Sequence, residues 1–136
     1  MNPNLYNGLT LAYIGDAIYE LRIRNYVLSL GLTKVNDLNK KATFYTCGHG
    51  QSIAMHKLID INFLTDEEIS FFKKGRNSSV KKIRKNITRS DYLEGTGFES
   101  LIGYLYLSQN ITRMDEIITK TIEILNDWEA SYGKQE

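Results

Sequence analysis

The sequence predicts an all-α fold, and three observations predict it. Its one proline, Pro3, lies outside every segment with helical patterning, and proline breaks helix interiors. Apolar residues recur three and four positions apart in segment after segment. Residues that start helices (Thr, Ser, Asp) and a glycine that stops one punctuate those segments. At 136 residues the chain is read as a single domain spanning 1–136, long enough to bury a real core.

Taken in order, the first helix is expected from Tyr6 to about Leu30. Leu11, Ile14, Ile18, Leu21 and Leu28 give its spacing, and Gly31 is the stop. From Leu9 to Tyr19 it is apolar nearly all round, a pattern normally buried in a core. Arg22 and Arg24 come only in its second half, where cations suit the helix dipole. Thr33 is placed to cap a second helix carrying Val35, Leu38, Ala42 and Tyr45. Cys47-Gly48-His49-Gly50 interrupts it, and a third helix follows through Ile53, Ala54, Leu58 and Ile59.

Thr65-Asp66-Glu67-Glu68 reads as a capping box opening a short helix with Ile69, Phe72 and Lys73, which Gly75 is expected to end. Arg76 to Ser79 reads as a loop. A basic segment from Lys81 to Lys85 follows, with Val80, Ile83 and Ile87 as its apolar contacts. Structure restarts at Ser90 and Asp91, with Tyr92 and Leu93 facing inward. Thr96 to Leu107 is a second, largely apolar helix. Thr112 to Asp115 is placed to cap a last helix, whose Ile117, Ile118, Ile122 and Leu125 form one stripe that Trp128 and Tyr132 extend. A frayed tail is expected from about residue 133.

Composition narrows the function classes. No apolar run of about 18 residues predicts a membrane span, and no charged-then-apolar leader opens the chain. One cysteine, Cys47, excludes an internal disulfide, and a cytoplasmic setting is the default. Cys47, His49 and His56 lack the fourth ligand and paired spacing of a zinc site. The net charge of +1 hides an asymmetry. From Lys73 to Arg89 there are eight bases and no acid, which leaves nine bases against sixteen acids elsewhere. Charge gathered this way favours an anionic partner over a merely solvated face, which usually mixes both signs.

Two acids stand out against apolar surroundings. Asp16 is the one charged residue between Leu9 and Tyr19, and Glu99 lies near the start of the Thr96–Leu107 helix. Each has an ordinary explanation. Asp16 can face a solvated groove or bond a backbone amide, and Glu99 can complete a capping box with Thr96. A carboxylate inside an oily segment is otherwise paired or binds a metal.

The two motifs together resemble one family. Leu11-Ala12-Tyr13-Ile14-Gly15-Asp16-Ala17 is similar to the signature helix of ribonuclease III, and Phe98-Glu99-Ser100-Leu101-Ile102-Gly103 to that family's second acidic helix. With Gly75-Arg76-Asn77 between them, the chain resembles the compact branch called Mini-ribonuclease III, over roughly residues 5 to 125. The resemblance implies a ribonuclease III-like helical bundle and a magnesium-dependent endoribonuclease. Asp16 and Glu99 are then the catalytic, metal-holding acids. Double-stranded RNA is the implied substrate, with trimming of the large-subunit (23S) ribosomal RNA precursor the implied role.

A homodimer is implied as well, with the signature helices near its two-fold axis. Lys73, Lys74, Arg76, Asn77, Lys81, Lys82 and Lys85 are the candidate RNA contacts, suited to phosphate and sugar rather than base readout. Two positions depart from the broader family: Ala12 and Thr96 stand where further metal-shell acids are usual. Glu20 is either a substitute ligand or a partner for Arg24. Nothing after Leu125 is long enough for the separate RNA-binding domain of larger relatives. The alternative is a non-catalytic RNA-binding protein on the same fold.

Overall fold

In the computed structural model, which describes residues 2–78 and 87–132, a short 3-10 turn at Pro3–Leu5 precedes six helices. These are α1 (Gly8–Ser29), α2 (Val35–Thr46), α3 (Gly48–Asp60), α4 (Asp66–Arg76), α5 (Arg89–Leu107) and α6 (Ile111–Tyr132). No strand occurs among the described residues, so the all-α expectation holds. Nor is any described helix long and apolar enough to cross a membrane. The expected tail and the Lys81–Lys85 segment lie outside the described residues.

Local chemistry sets most boundaries. The Asn7 side chain accepts from the Thr10 amide and starts α1. Gly31 at φ +93° ends it in the left-handed region that glycine enters freely. Thr65 and Glu68 form the expected capping box on α4. Other boundaries differ from expectation. Lys34, not Thr33, caps α2, and it does so without a side-chain bond. Gly75 and Arg76 lie inside α4, which runs on to an Asn77 cap. The Thr88 hydroxyl caps α5 well before Thr96, so Thr96 and Glu99 sit mid-helix and form no capping box.

Helix α5 is the axis of the bundle, packed against α1, α3, α4 and α6. It allows that many neighbours because its surface is small where they cross. A Cβ on Gly15 of α1 would overlap the Glu99 carbonyl oxygen of α5, and one on Gly103 would overlap the Leu11 carbonyl oxygen of α1. The two helices therefore meet backbone to backbone. On the α4 side, Gly97 clears the Phe72 carbonyl oxygen by giving up a Cβ that would sit 2.6 Å away. Gly75 faces the Ser100 hydroxyl. That hydroxyl is fully buried between the Gly8 and Thr96 carbonyl oxygens, at 2.6 and 2.9 Å. Around this axis Ile23, Met55, Leu58, Leu101, Met114 and Ile117 are wholly enclosed, and Tyr19 meets Phe98 edge-to-face at 4.9 Å.

Helix α1 is not buried on every side. Leu9, Tyr13, Asp16, Ala17, Leu21 and Leu28 are exposed, while Leu11, Gly15, Tyr19, Ile23 and Val27 face the core. Its apolar residues serve two surfaces, which is why its patterning is so nearly uniform. Helix α6 begins at Ile111, and Arg22 of α1 reaches its Asp115 at 2.8 Å. Asp115 is thus committed to an ion pair and not to a cap.

Glu68 is buried, and Arg113 grips both of its oxygens at 2.8 and 2.9 Å while also donating to the Phe63 carbonyl. Burial by itself would raise the Glu68 carboxyl. The Arg113 hydrogen bonds, the Thr65 amide and the Arg113 charge outweigh it and hold the carboxyl below its ordinary value. A folded value below the unfolded one stabilises fully at neutral pH, and that stabilisation is lost as pH falls through the folded value.

Unfolding measurements can probe both contacts. Gly15→Ala should cost about 3 kcal/mol in urea unfolding, the upper end for overpacking, because backbone must move. Arg113→Ala should cost about 3 kcal/mol at neutral pH by stranding a buried carboxylate. That cost should shrink as pH falls through the lowered value of the Glu68 carboxyl, where the stranded group takes up a proton; an equal cost at acidic and neutral pH would contradict the assignment.

Candidate active site

The α1–α5 crossing brings together the two acids that lie 83 positions apart in the sequence. Asp16 follows the glycine that sits on the Glu99 carbonyl, so the two residues flank one backbone contact. Both line a cleft of about 350 Å³, shared with Leu9, Ala12, Tyr13, Gln51, Ile87 and Thr96. Asp16 is exposed at its edge and Glu99 is half-buried. Of the readings open to Asp16, the solvated groove is the one the fold gives it: the carboxylate keeps its solvent and so avoids the desolvation penalty of an enclosed charge.

Ala12 and Thr96, the positions that depart from the broader family, line the same cleft. Thr96 donates its hydroxyl to the Tyr92 carbonyl at 3.0 Å. Glu20 pairs with Arg24 at 3.1 Å, the second of its two readings. Tyr19 passes beneath the acids and donates to the Tyr45 carbonyl at 2.9 Å. Burial pushes its phenol far up, and the nearby Cys47 and Glu99 charges add to the rise.

The remaining wall comes from α3, packed on α5 through polar side chains. Glu94 accepts from the Ser52 hydroxyl at 2.7 Å, the Ser90 hydroxyl at 2.9 Å and the His56 ring at 2.5 Å. Burial alone would raise the Glu94 carboxyl, but these three bonds and the His56 charge hold it low. His49 meets Asp91 at 3.0 Å. Both histidines are therefore tied to carboxylates. Among the described residues no group of three or more His, Cys, Asp or Glu side chains is placed to hold a metal ion. Cys47 instead caps α3, its sulfur accepting from the Gly50 amide.

The basic candidates divide. Lys73, Lys74, Arg76 and Asn77 occupy the end of α4. There the Lys74 and Gly75 backbone abuts Gly8, one residue before the cleft-lining Leu9. Lys73 and Asn77 are exposed. Lys74 bonds the Asn4 carbonyl at 3.3 Å, and the Arg76 guanidinium lies over the Phe72 ring at 5.4 Å. Lys81, Lys82 and Lys85 lie outside the described residues, but Ile87 just beyond them lines the cleft. Sequence reasoning did not select Gln51, which the third helix brings to the cleft; no spacing in a single chain marks it.

Known proteins match this arrangement. The Ribonuclease III domain model matches residues 9–110. A Mini-ribonuclease 3 from Enterococcus faecalis is 45% identical over 117 residues, covering 86% of this chain and 89% of the relative. A Mini-ribonuclease 3 from Clostridium tetani is 40% identical, over 94% of this chain and 84% of the relative. The crystal structure of protein FN1578 from Fusobacterium nucleatum superposes with a TM-score of 0.78 at 35% identity, covering 88% of this chain and 95% of that one. With a shared fold, shared length and both acidic motifs in place, the chain belongs to the ribonuclease III family of endoribonucleases, in its compact Mini-ribonuclease III branch.

Proposed function

We propose that this protein is a magnesium-dependent endoribonuclease that cleaves double-stranded RNA as a homodimer, with Asp16 and Glu99 as its metal-holding acids. The observation that carries the reading is the convergence of these two carboxylates on one cleft from helices distant in sequence. Two oxygen donors suit a hard cation that keeps several waters and takes further oxygens from a substrate phosphate. When bound, such an ion supplies Lewis-acid activation of water and neutralises charge on the phosphate. The chain's own part is to hold the carboxylates at a fixed spacing, through the α1–α5 backbone contact. It also presents cations to the RNA backbone from the end of α4 and from Lys81, Lys82 and Lys85.

Contacts of that kind read the shape and 2′-hydroxyls of a duplex more than its bases. We assign the biological substrate to the large-subunit (23S) ribosomal RNA precursor and the place of work to the cytoplasm. Family resemblance supports the first, and a single cysteine suits the second.

The exposed stripe on α1 supports the dimer. Leu9, Tyr13, Ala17 and Leu21 follow one another at steps of four, so they share a face, and Tyr13 is 82% exposed. A run of apolar side chains in water is the usual mark of an interface. An isologous pairing along α1 would set two clefts side by side along a duplex.

Asp16→Asn and Glu99→Gln should each abolish cleavage of duplex RNA in magnesium while leaving thermal unfolding and duplex binding nearly unchanged. Turnover close to wild type in either variant would remove that residue from the site. Intact RNA with the wild-type protein would instead favour the non-catalytic RNA-binding alternative. Leu21→Glu should convert a dimer into a monomer in sedimentation velocity; an unchanged sedimentation coefficient would reject α1 as the interface.

A further inference from the structure

Buried polar side chains are nearly always hydrogen-bonded, to protein or to water, so a largely buried one with no protein partner that opens on a cleft is free to bond what enters it. Gln51 is 3% exposed and no side-chain hydrogen bond to a described residue holds its amide, yet the amide is not among the sealed, unpaired groups of the core, so it keeps its contact with solvent at the cleft. Its neighbour Ser52 behaves in the ordinary way and is tied to Glu94. Gln51 lines the cleft with Asp16, Thr96 and Glu99. The space around its amide is built in: a Cβ on Gly95 would lie 2.7 Å from the Gln51 oxygen and 3.4 Å from the Gly48 Cα. A larger residue than glycine at 95 would push the amide aside. The surroundings keep a largely buried amide at the wall of the cleft that holds the two carboxylates.

The chemistry of that amide is complementary to the acids. It is neutral, and it offers two N–H donors and one acceptor. Carboxylates repel an RNA phosphate, whereas an uncharged donor supports it, and an amide also matches a 2′-hydroxyl, which both donates and accepts. We propose that Gln51 contacts the substrate directly, its amide donating to an oxygen of the nucleotide at the cleaved bond. This rests on the nuclease reading, and it adds a residue from α3 to the acids of α1 and α5.

The test uses the full-length protein and two short RNA duplexes. One is all-ribo, and the other carries a single 2′-deoxy sugar at the cleaved position. Gln51→Met keeps the volume and removes every hydrogen bond. It should lower kcat/KM on the all-ribo duplex about tenfold, the scale of one hydrogen bond to substrate, with an unchanged unfolding midpoint. It should also weaken duplex binding measured without divalent metal.

If the 2′-hydroxyl is the partner, wild type should lose about tenfold on the deoxy duplex, and Gln51→Met should lose nothing further. If a phosphate oxygen is the partner, both proteins should show the same deoxy penalty. Gln51→Glu, equal in shape but anionic, should then be worse than Gln51→Met. If Gln51→Met unfolds, Gln51→Glu and Gln51→Asn decide by the same two measurements. Wild-type affinity and wild-type kcat/KM in a folded variant would overturn the proposal. Failure of the wild type to cleave would overturn the nuclease reading alone, because the metal-free binding comparison still reports on Gln51.

Discussion

The backbone contact between α1 and α5 is the constraint on which the rest of the molecule depends. Two glycines, Gly15 and Gly103, each lie on a carbonyl oxygen of the opposite helix, and no side chain separates the two backbones. Such a contact leaves little freedom in spacing, rotation or register, because interiors are close-packed and a shift of one methylene is felt. Asp16 directly follows one of these glycines, and Glu99 supplies one of the carbonyls. The relative position of the two acids is thereby set by main chain rather than by flexible side-chain packing. Functional groups held on rigid elements keep their geometry when substrate arrives.

Polar networks then place the other helices on that pair. Arg113 and Glu68 join the start of α6 to the start of α4, deep enough that each needs the other. Glu94, with Ser52, His56 and Ser90, joins α3 to α5 along one side of the cleft. A partly satisfied network would cost more than an apolar contact, whereas these carboxylates are satisfied on both oxygens. Their effect is to fix which face of α3 and of α4 meets the axis. That choice sends Gln51 to the cleft and the basic end of α4 towards the N-terminus of α1.

Helix α1 serves three surfaces at once. Its glycine face meets α5, its Tyr19 and Ile23 enter the core, and its Leu9–Leu21 stripe remains open beside Asp16. The carboxylate lies on the boundary between the packed and open faces. It is exposed to solvent, yet anchored by Gly15 beside it, which packs on the α5 backbone.

Much was legible in the sequence. Helical periodicity, the capping box at Thr65 and the stop at Gly31 describe local energetics, so they act before any tertiary contact forms. The acidic motifs were legible as a pair through their likeness to the two ribonuclease III motifs, while the role of Gly15 and Gly103 within them belongs to the crossing. What only the tertiary structure decided is what depends on a neighbour. Gly75 reads as a helix stop but is a place for Ser100. Thr96 and Glu99 read as a cap because nothing local reveals that α5 already began at Arg89. The uniform apolar patterning of α1 cannot say which side meets protein and which meets water, since both surfaces use the same side chains. Gln51 and Glu94 have no local signature at all: one gains its meaning from an open bonding site beside two acids, the other from three donors on two helices.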